Sequence, residues 1–340
     1  MSASDSRGLD TPNVGILIRP WREDADFDVC AEVLRQATAH DGFVRVRDAA
    51  RWRSMFRQFG GDPARDCWLA QVDGEVAGYA MALDLGREDP TTRLLIHNIV
   101  VAPRWRGRQV EHRLLDIATT RLSQSAGESQ SGPEANVRFR AEISDRETYI
   151  LELLAGRGYA VRHYVVEMAR PLDAVLPALT MPPGIETRPI GGAAVALRVL
   201  AALSGAAVEE GMPAFTKHQM VEMVAHPIHG QIEHWIVAWD GAVPVAGVLG
   251  WVDAAENTEQ GRARAYTERI TTLPAWRRRG IASALLVRAM EHFRAAGMTE
   301  AALAVDTDNA SGALGLYERL GFGRTSTSLV VDKAFVNAGG

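Results

Sequence analysis

A basic segment punctuated by glycine, in the C-terminal half of the chain, has the residue types needed to bind an anion. It reads Arg277-Arg278-Arg279-Gly280-Ile281-Ala282 and joins a β-rich run ending at Pro274 to a helical pattern that begins near Gly280. The first amides of a helix lack intrahelical acceptors, and the helix dipole favours negative charge beside them. Gly280 has no Cβ and Ala282 has almost no side chain, so a phosphate can approach the backbone. The segment therefore predicts a phosphate or pyrophosphate site.

A second segment of interest lies further along the same half. Asn309–Phe322 reads NASGALGLYERLGF and follows a predicted strand at Glu300–Asp306. On the residues alone, Tyr317 is an aromatic side chain packed on a helix face. The two segments together resemble the GNAT superfamily of N-acetyltransferases, whose acetyl-CoA loop reads Gln/Arg-x-x-Gly-x-Gly/Ala and whose last helix ends Leu-Tyr-Glu-x-Leu-Gly-Phe. The resemblance covers the C-terminal half, from about Ile185 to Ala334.

This resemblance implies an acyl-CoA site and a proton donor. Acetyl-CoA, or another acyl-CoA, is the expected cofactor, and Tyr317 corresponds to the phenol that protonates the departing thiolate in the family. Backbone amides on the strand before the loop are expected to line the pantetheine arm and the acetyl group, where two parallel strands separate. The implied cofactor-binding positions are Ile270, Thr271, Thr272, Arg277, Arg278, Arg279, Gly280, Ile281, Ala282, Ser283 and Asn309.

The strand before the loop also carries a candidate base. Alternate residues of a strand share a face, so Tyr266 and Glu268 project to the same side. GNAT enzymes often carry a Glu or His base at these two positions, acting through water. Glu268 is therefore the predicted base that deprotonates the attacking amine. A solvated strand carboxylate is the alternative interpretation of the same residue.

Composition indicates a globular chain and excludes several classes of protein. The 340 residues are 47% hydrophobic and 23% charged, which is ordinary for globular proteins. The net charge of -5, without a long basic block, argues against nucleic acid as the main partner. There is no apolar run of 18 residues, so no membrane span is expected. Cys30 and Cys67, the only cysteines, predict neither a disulfide scaffold nor a zinc cluster, and a cytoplasmic location is expected.

Two other groups of titratable residues have ordinary interpretations. His226, His229 and His234 lie close together in sequence, but neither cysteines nor supporting partners accompany them, so no metal site is predicted. Glu209 and Glu210 fall in the family's variable region, which covers the acceptor pocket. They either bind a cationic amine or belong to a solvated loop, and the sequence leaves both alternatives open.

The pattern of predicted elements occurs twice along the chain. Each half has an alternation of predicted strands and helices, with an Asp-Gly hairpin turn at Asp73-Gly74 and again at Asp240-Gly241. The resemblance implies that each half forms a mixed, mostly antiparallel sheet flanked by helices. The predicted fold class is therefore α/β (α+β), with two tandem GNAT domains. The predicted divisions are an N-terminal domain at 15–170, a proline-rich linker at 171–184 and a C-terminal catalytic domain at 185–335.

The N-terminal copy has lost residues that the chemistry needs. With Pro103 aligned on Pro274, Gln109 replaces Gly280, Glu111 replaces Ala282 and His97 replaces Glu268, while Leu154 falls opposite Tyr317. Turnover is not expected here, and His97 is interpreted as a packing or hydrogen-bonding residue. Some tandem family members hold acetyl-CoA in a domain that does no chemistry, so a second, non-catalytic CoA site stays open at Ile99, Val100, Val101, Arg106, Gly107 and Arg108.

The predicted function is acetyl transfer from acetyl-CoA to a primary amine of a small molecule. Direct attack is expected, because the sequence has no motif for a nucleophilic Cys or Ser. The layout resembles mycothiol synthase-like and other bacterial two-domain GNAT proteins. Two alternatives remain open: the same fold using a different acyl-CoA, and a non-catalytic acyl-CoA-binding protein. Neither nucleic acid nor membrane is an expected partner.

Overall fold

The computed structural model describes residues 15–22, 25–45, 49–88, 91–128, 136–208, 215–308 and 312–336. Its strands are β1 (Ile16–Pro20), β2 (Cys67–Val72), β3 (Glu75–Arg87), β4 (Thr92–Val101), β5 (Asn136–Ser144), β6 (Ala160–Pro171), β7 (Ile185–Arg188), β8 (Trp235–Asp240), β9 (Val243–Val252), β10 (Arg264–Thr272), β11 (Glu300–Asp306) and β12 (Gly323–Ala334). Its helices are α1 (Ala25–Asp41), α2 (Ala49–Phe59), α3 (Pro63–Asp66), α4 (Val110–Glu128), α5 (Thr148–Gly156), α6 (Ala193–Val208), α7 (Lys217–Ala225), α8 (Ala254–Gln260), α9 (Ile281–Ala295) and α10 (Ala313–Arg319).

All of these strands belong to one 12-stranded sheet, in the order β1-β2-β3-β4-β5-β12-β6-β11-β10-β9-β8-β7. The last strand of each half lies in the sheet of the other half. Val166 of β6 pairs with Val305 of β11, and Val331 of β12 pairs with Ala141 of β5. The two exchanged strands also pair with each other at the centre of the sheet. The domain boundaries at 15–170, 171–184 and 185–335 stay a prediction, since the sheet runs across them.

Helices cover both faces of the C-terminal half of the sheet. On one side, which we call the α9 face, α9 and α10 bury apolar strand residues such as Ala265, Leu303 and Val305. On the opposite side, the α6 face, α6 and α7 pack against Trp235 and Leu249. The mixed α/β fold with helices on both faces confirms the predicted fold class. Among the helices in the described ranges, none combines the length and apolar character that a membrane span requires.

Local signals in the sequence account for the boundaries of some elements. The hairpin between β2 and β3 turns at Asp73 and Gly74, whose φ angles of 54° and 83° are those of a tight hairpin turn. Helix α8 was not predicted, because its sequence AAENTEQ lacks an apolar stripe. It is fixed instead at its ends, where Asp253 accepts a hydrogen bond from the Glu256 amide (3.0 Å) and Gly261 adopts φ 60°.

Candidate active site

Strands β10 and β11 separate part-way along the sheet. They pair in parallel only from Arg264–Tyr266 and Glu300–Ala302. Just beyond, β10 bulges against β9: Glu268 pairs with Leu249 and Thr271 with Gly247, so Arg269 and Ile270 both face a single residue. Arg269 has a φ of 46°. A bulge leaves backbone groups out of the ladder. The predicted role of the amides near Ile270, to bind a ligand between the two strands, stays a prediction.

Glu268 reaches across this gap. Its Oε1 accepts a hydrogen bond from the Ala304 amide on β11 (3.0 Å). Because Glu268 pairs with Leu249, which packs under α6, the carboxyl lies on the α6 face. Burial raises the pKa of Glu268 to about 7, against the opposing effect of the Ala304 amide and of Arg269. A carboxyl with that pKa holds both protonation states near neutral pH, as a general base requires.

Tyr317 lies on the other side of the sheet. It is buried at 6% exposure on α10 and meets Phe322 edge to face, with ring centroids 6.2 Å apart. Its cluster contains Leu303 and Val305 of β11, which places it on the α9 face. The predicted base and the predicted acid therefore lie on opposite faces of the sheet.

The basic loop turns from the end of β10 into α9, and its role as an anion site stays a prediction. Arg277 is tied to the strand end, because its Nε donates to the Thr272 carbonyl (3.0 Å). Arg278 and Gly280 both adopt left-handed backbone, with φ of 58° and 81°. Gly280 is the N-cap residue of α9, and a Cβ there would meet nothing within 4 Å. The buried Ile281 anchors the first turn of α9, leaving the short side chains of Ala282 and Ser283 beside its amides. Arg279 is exposed at the rim of the loop.

Two features of the α6 face were not found by sequence reasoning. A cavity of about 20 Å³ beside the bulge is lined by Leu200, Phe215 and Arg269, and the Arg269 guanidinium lies 4.3 Å from the Phe215 ring centroid. A larger cleft of about 260 Å³ lies between the halves and is lined by Tyr266 and by Glu167 of the exchanged strand β6, among others. Only the non-local pairing of β6 with β11 brings Glu167 to this position.

Tyr266, which shares its face with Glu268, is held in a packed network. Its hydroxyl donates to Glu256 Oε1 (2.6 Å), and its ring stacks on Trp251 with centroids 5.7 Å apart. Burial raises the pKa of Tyr266, and the neighbouring Glu256 adds to the effect. This phenol is therefore a poor base, and Glu268 is the residue of the two that reaches the gap.

The N-terminal half closes the corresponding region with a buried pair. His97 Nε2 and the Tyr159 hydroxyl are 2.8 Å apart, and both residues are buried. Burial lowers the pKa of His97 to about 4, so the imidazole is neutral at physiological pH. The cavity beside it measures only about 10 Å³. Leu154 is buried and supplies no phenol, as the sequence indicated, but Tyr159 brings one from the position that matches Phe322.

Some predicted residues lie outside the described part of the chain. Asn309 is one of them, and so are Glu209 and Glu210 of the variable region. The histidines considered above have structural contacts: His226 Nδ1 accepts from the amides of Ile228 and His229, at 3.0 and 3.1 Å. These contacts make His226 a cap for the loop that follows α7.

The family model described as Acetyltransferase (GNAT) family matches this chain twice, over residues 31–129 and 206–322. The chain belongs to the GNAT family. The two matched regions contain the two loops compared above, which confirms that this is a tandem GNAT acyltransferase.

Similar proteins share this layout. The chain is 26% identical to a mycothiol acetyltransferase of Saccharopolyspora erythraea over 275 residues, covering 75% of this chain and 81% of that protein. A GCN5-related N-acetyltransferase from Sphaerobacter thermophilus superposes with a TM-score of 0.72 at 24% identity, covering 94% and 95% of the two chains. A tandem GNAT protein from the clavulanic acid biosynthesis pathway gives a TM-score of 0.61 at 14% identity, covering 95% and 99%. These structural likenesses establish the shared fold.

Proposed function

We propose that this GNAT protein transfers an acetyl group from acetyl-CoA to a primary amine of a small molecule, and that the chemistry takes place in its C-terminal half. One observation carries the proposal. Glu268 reaches the β10–β11 gap on the α6 face, and Tyr317 lies on the opposite, α9 face of the same sheet. An attacking amine on one side and a departing thiolate on the other need a base and an acid in this arrangement.

The binding steps follow from the backbone. The first-turn amides of α9, from Gly280 to Ser283, would hold the pyrophosphate together with Arg277, Arg278 and Arg279. The amides of Ile270, Thr271 and Thr272 would orient the pantetheine arm. Bound acetyl-CoA supplies the acetyl thioester. A backbone amide at the bulge would then stabilise the negative charge that develops on the carbonyl oxygen during attack.

The proton steps use the two side chains. Glu268 removes a proton from the ammonium, directly or through a water, so that the amine nitrogen can form its bond to the carbonyl carbon. As the carbon–sulfur bond breaks, the attacking nitrogen loses its second proton to water. Tyr317 donates its proton to the departing sulfur, and the phenolate takes up a proton from solvent. The two residues thus begin and finish one displacement without a covalent acyl-enzyme.

The acceptor would enter from the α6 face. The cleft between the halves opens on the face that carries Glu268, and the carboxylates of Glu167 and Glu256 line it. Both carboxylates also pair with arginines: Glu167 Oε1 is 2.6 Å from Arg264 Nη1, and Arg262 contacts Glu256. Such a mixed lining suits a polar amine that makes several charged hydrogen bonds, more than an apolar one.

Thiol release is the test of the proposal. The purified chain is incubated with acetyl-CoA and a panel of small primary amines, and free CoA thiol is measured against an amine-free control. We expect amine-dependent release with at least one acceptor. A parallel series with longer acyl-CoA donors tests the alternative donor. If acyl-CoA binds but no amine in the panel releases thiol, the non-catalytic binding protein becomes the better account.

A further inference from the structure

The loop that joins β4 to α4 has the same backbone path as the C-terminal anion loop. Arg106 Nε donates to the Val101 carbonyl (3.2 Å), as Arg277 does to Thr272. Gly107 and Gln109 adopt φ angles of 71° and 70°, matching Arg278 and Gly280 position by position. A non-glycine residue rarely adopts this conformation. The N-terminal half has therefore kept the shape of an anion loop although its sequence no longer favours that shape.

An anion already lies in this loop. Glu111, on the first turn of α4, turns its carboxylate back so that Oε1 accepts a hydrogen bond from the Gly107 amide (2.9 Å). The side chain is 6% exposed, and its Oε2 is buried without a hydrogen-bond partner among the described residues. Burying an unsatisfied carboxylate oxygen is costly, and the positive end of the helix dipole is a setting that offsets the cost. In the C-terminal half, Ala282 stands in this position.

The arginines around the loop are also engaged. Arg106 forms a bidentate ion pair with Asp41, at 2.6 and 2.8 Å, and lies over the Tyr149 ring at 4.0 Å. Arg104 pairs with Glu75 at 2.6 Å, and Arg108 lies 5.3 Å from the Trp105 ring centroid. The arginines that the sequence suggested for a second CoA site therefore contact acidic and aromatic side chains of the protein itself.

We propose that the Glu111 carboxylate is a built-in occupant of the N-terminal anion site. The native chain then binds one CoA, in the C-terminal half, and removing this carboxylate opens a second, non-catalytic site for the pyrophosphate of a nucleotide. The stoichiometry rests on the proposed function for the C-terminal site, whereas the role of Glu111 concerns only the N-terminal loop.

CoA binding measured by calorimetry tests the stoichiometry and the role of Glu111 separately. We expect one CoA per wild-type chain and a second binding event in Gln109→Gly/Glu111→Ala, which removes the carboxylate and relieves the left-handed Gln109. Glu111→Gln is the milder variant, because it keeps the shape and an acceptor for Gly107 while deleting the charge. Asp116→Ala, which deletes an exposed carboxylate on the same helix, should keep the wild-type stoichiometry.

The same variants in a Gly280→Glu background isolate the N-terminal site. There, Gly280→Glu alone should bind CoA about 30- to 700-fold more weakly than wild type, and adding Gln109→Gly/Glu111→Ala should add one tighter binding event. Two CoA molecules per wild-type chain would overturn the inference, and so would a folded set of Glu111 variants in which none gains a site. Retained single-site binding in Gly280→Glu with an unchanged thiol-release rate would contradict the C-terminal assignment instead. Reciprocally, Ala282→Glu should place a carboxylate in the C-terminal loop and weaken CoA binding there.

Discussion

The two halves of this protein keep the same loop and strand framework but differ in what fills it. In both, an arginine Nε binds the carbonyl at the end of the strand, and two left-handed residues lead into the helix. In the C-terminal half, Gly280 and Ala282 have no long side chain to fill the space beside the first amides of the helix. In the N-terminal half Glu111 takes that space. With the proposed role of Glu111, the comparison indicates that a loop framework can persist when a side chain of the protein occupies the place of a ligand.

Strands β10 and β4, which precede the two loops, also differ between the halves in how they pair with their neighbours. In the C-terminal half, parallel pairing ends at Tyr266 and the bulge follows. In the N-terminal half, parallel pairing continues to Ile96 with Arg140, one position further in the alignment. Strand β4 also pairs with β3 without a register shift from Leu95 to Val101. The uninterrupted strand leaves no extra amide for a thioester, and the His97–Tyr159 pair occupies the region beside it.

The largest expected effect comes from making the C-terminal loop resemble the N-terminal one. Gly280→Glu places a long, charged side chain where the pyrophosphate would bind, on a left-handed backbone position. We expect acetyl-CoA affinity to fall by about 2–4 kcal/mol, which is about 30- to 700-fold. Calorimetry measures the affinity, and circular dichroism controls for folding. Wild-type affinity and activity in this variant would remove the loop from the account.

The second prediction concerns Glu268, the proposed base, which His97 replaces in the N-terminal half. Wild-type rate should rise with pH through about 7, as Glu268 loses its proton. Glu268→Gln should lower the rate by about 100-fold near neutral pH, within the usual range for general base catalysis. At higher pH the free amine forms on its own, so the defect should shrink. A pH–rate profile tests this, with Glu142→Gln on the N-terminal half as a carboxylate-deletion control. A defect independent of pH would indicate substrate positioning instead.

The same carboxyl should affect stability with a defined sign. Burial raises the pKa of Glu268 from about 4.5 to about 7, so the folded state binds the proton more tightly than the unfolded state. Its contribution is fully present below about pH 4.5 and is lost as pH rises through 7. Wild type should therefore lose about 1–3 kcal/mol more than Glu268→Gln between pH 5 and pH 8. Denaturation of both proteins at the two pH values measures the difference. Equal losses would contradict the raised pKa.

The smallest expected effect on turnover is in the N-terminal half. His97→Ala removes a neutral, buried imidazole and leaves a cavity, so some stability is lost. Acetyl transfer by the folded protein should stay at the wild-type rate, because His97 lies in the N-terminal half, beside a cavity of only about 10 Å³. Steady-state thiol release at a temperature below the variant's unfolding transition measures this. If turnover is lost while folding and cofactor binding are unchanged, the assignment of the chemistry to the C-terminal half is contradicted.

Local sequence patterns were enough to predict the loop before α9, the Asp73-Gly74 turn and many strands. Each of these depends on residues close together in the chain, such as Gly280 with its neighbouring arginines. The second hairpin turns at Gly241 and Ala242, one residue later than the predicted Asp240-Gly241, because Asp240 pairs with Val243. The exchange of β6 and β12, and with it Glu167 in the cleft, depends on pairing between distant strands. The Tyr159 phenol was not predicted, because Tyr159 aligns with Phe322 and the position that matches Tyr317 is Leu154. The bulge at Arg269 had no signal in residue type, since a non-glycine residue adopts the left-handed conformation there.

A matched pair of hydroxyl deletions tests the central claim most directly. Tyr317→Phe and Tyr159→Phe each keep a buried ring and remove one phenol oxygen, one in each half of the molecule. In single-turnover thiol release with an accepted amine, we expect Tyr317→Phe to slow transfer by about 10- to 1,000-fold, with acetyl-CoA affinity nearly unchanged. Tyr159→Phe should react at the wild-type rate. A wild-type rate for Tyr317→Phe, or a comparable loss in folded Tyr159→Phe, would contradict the assignment of the chemistry to the C-terminal half.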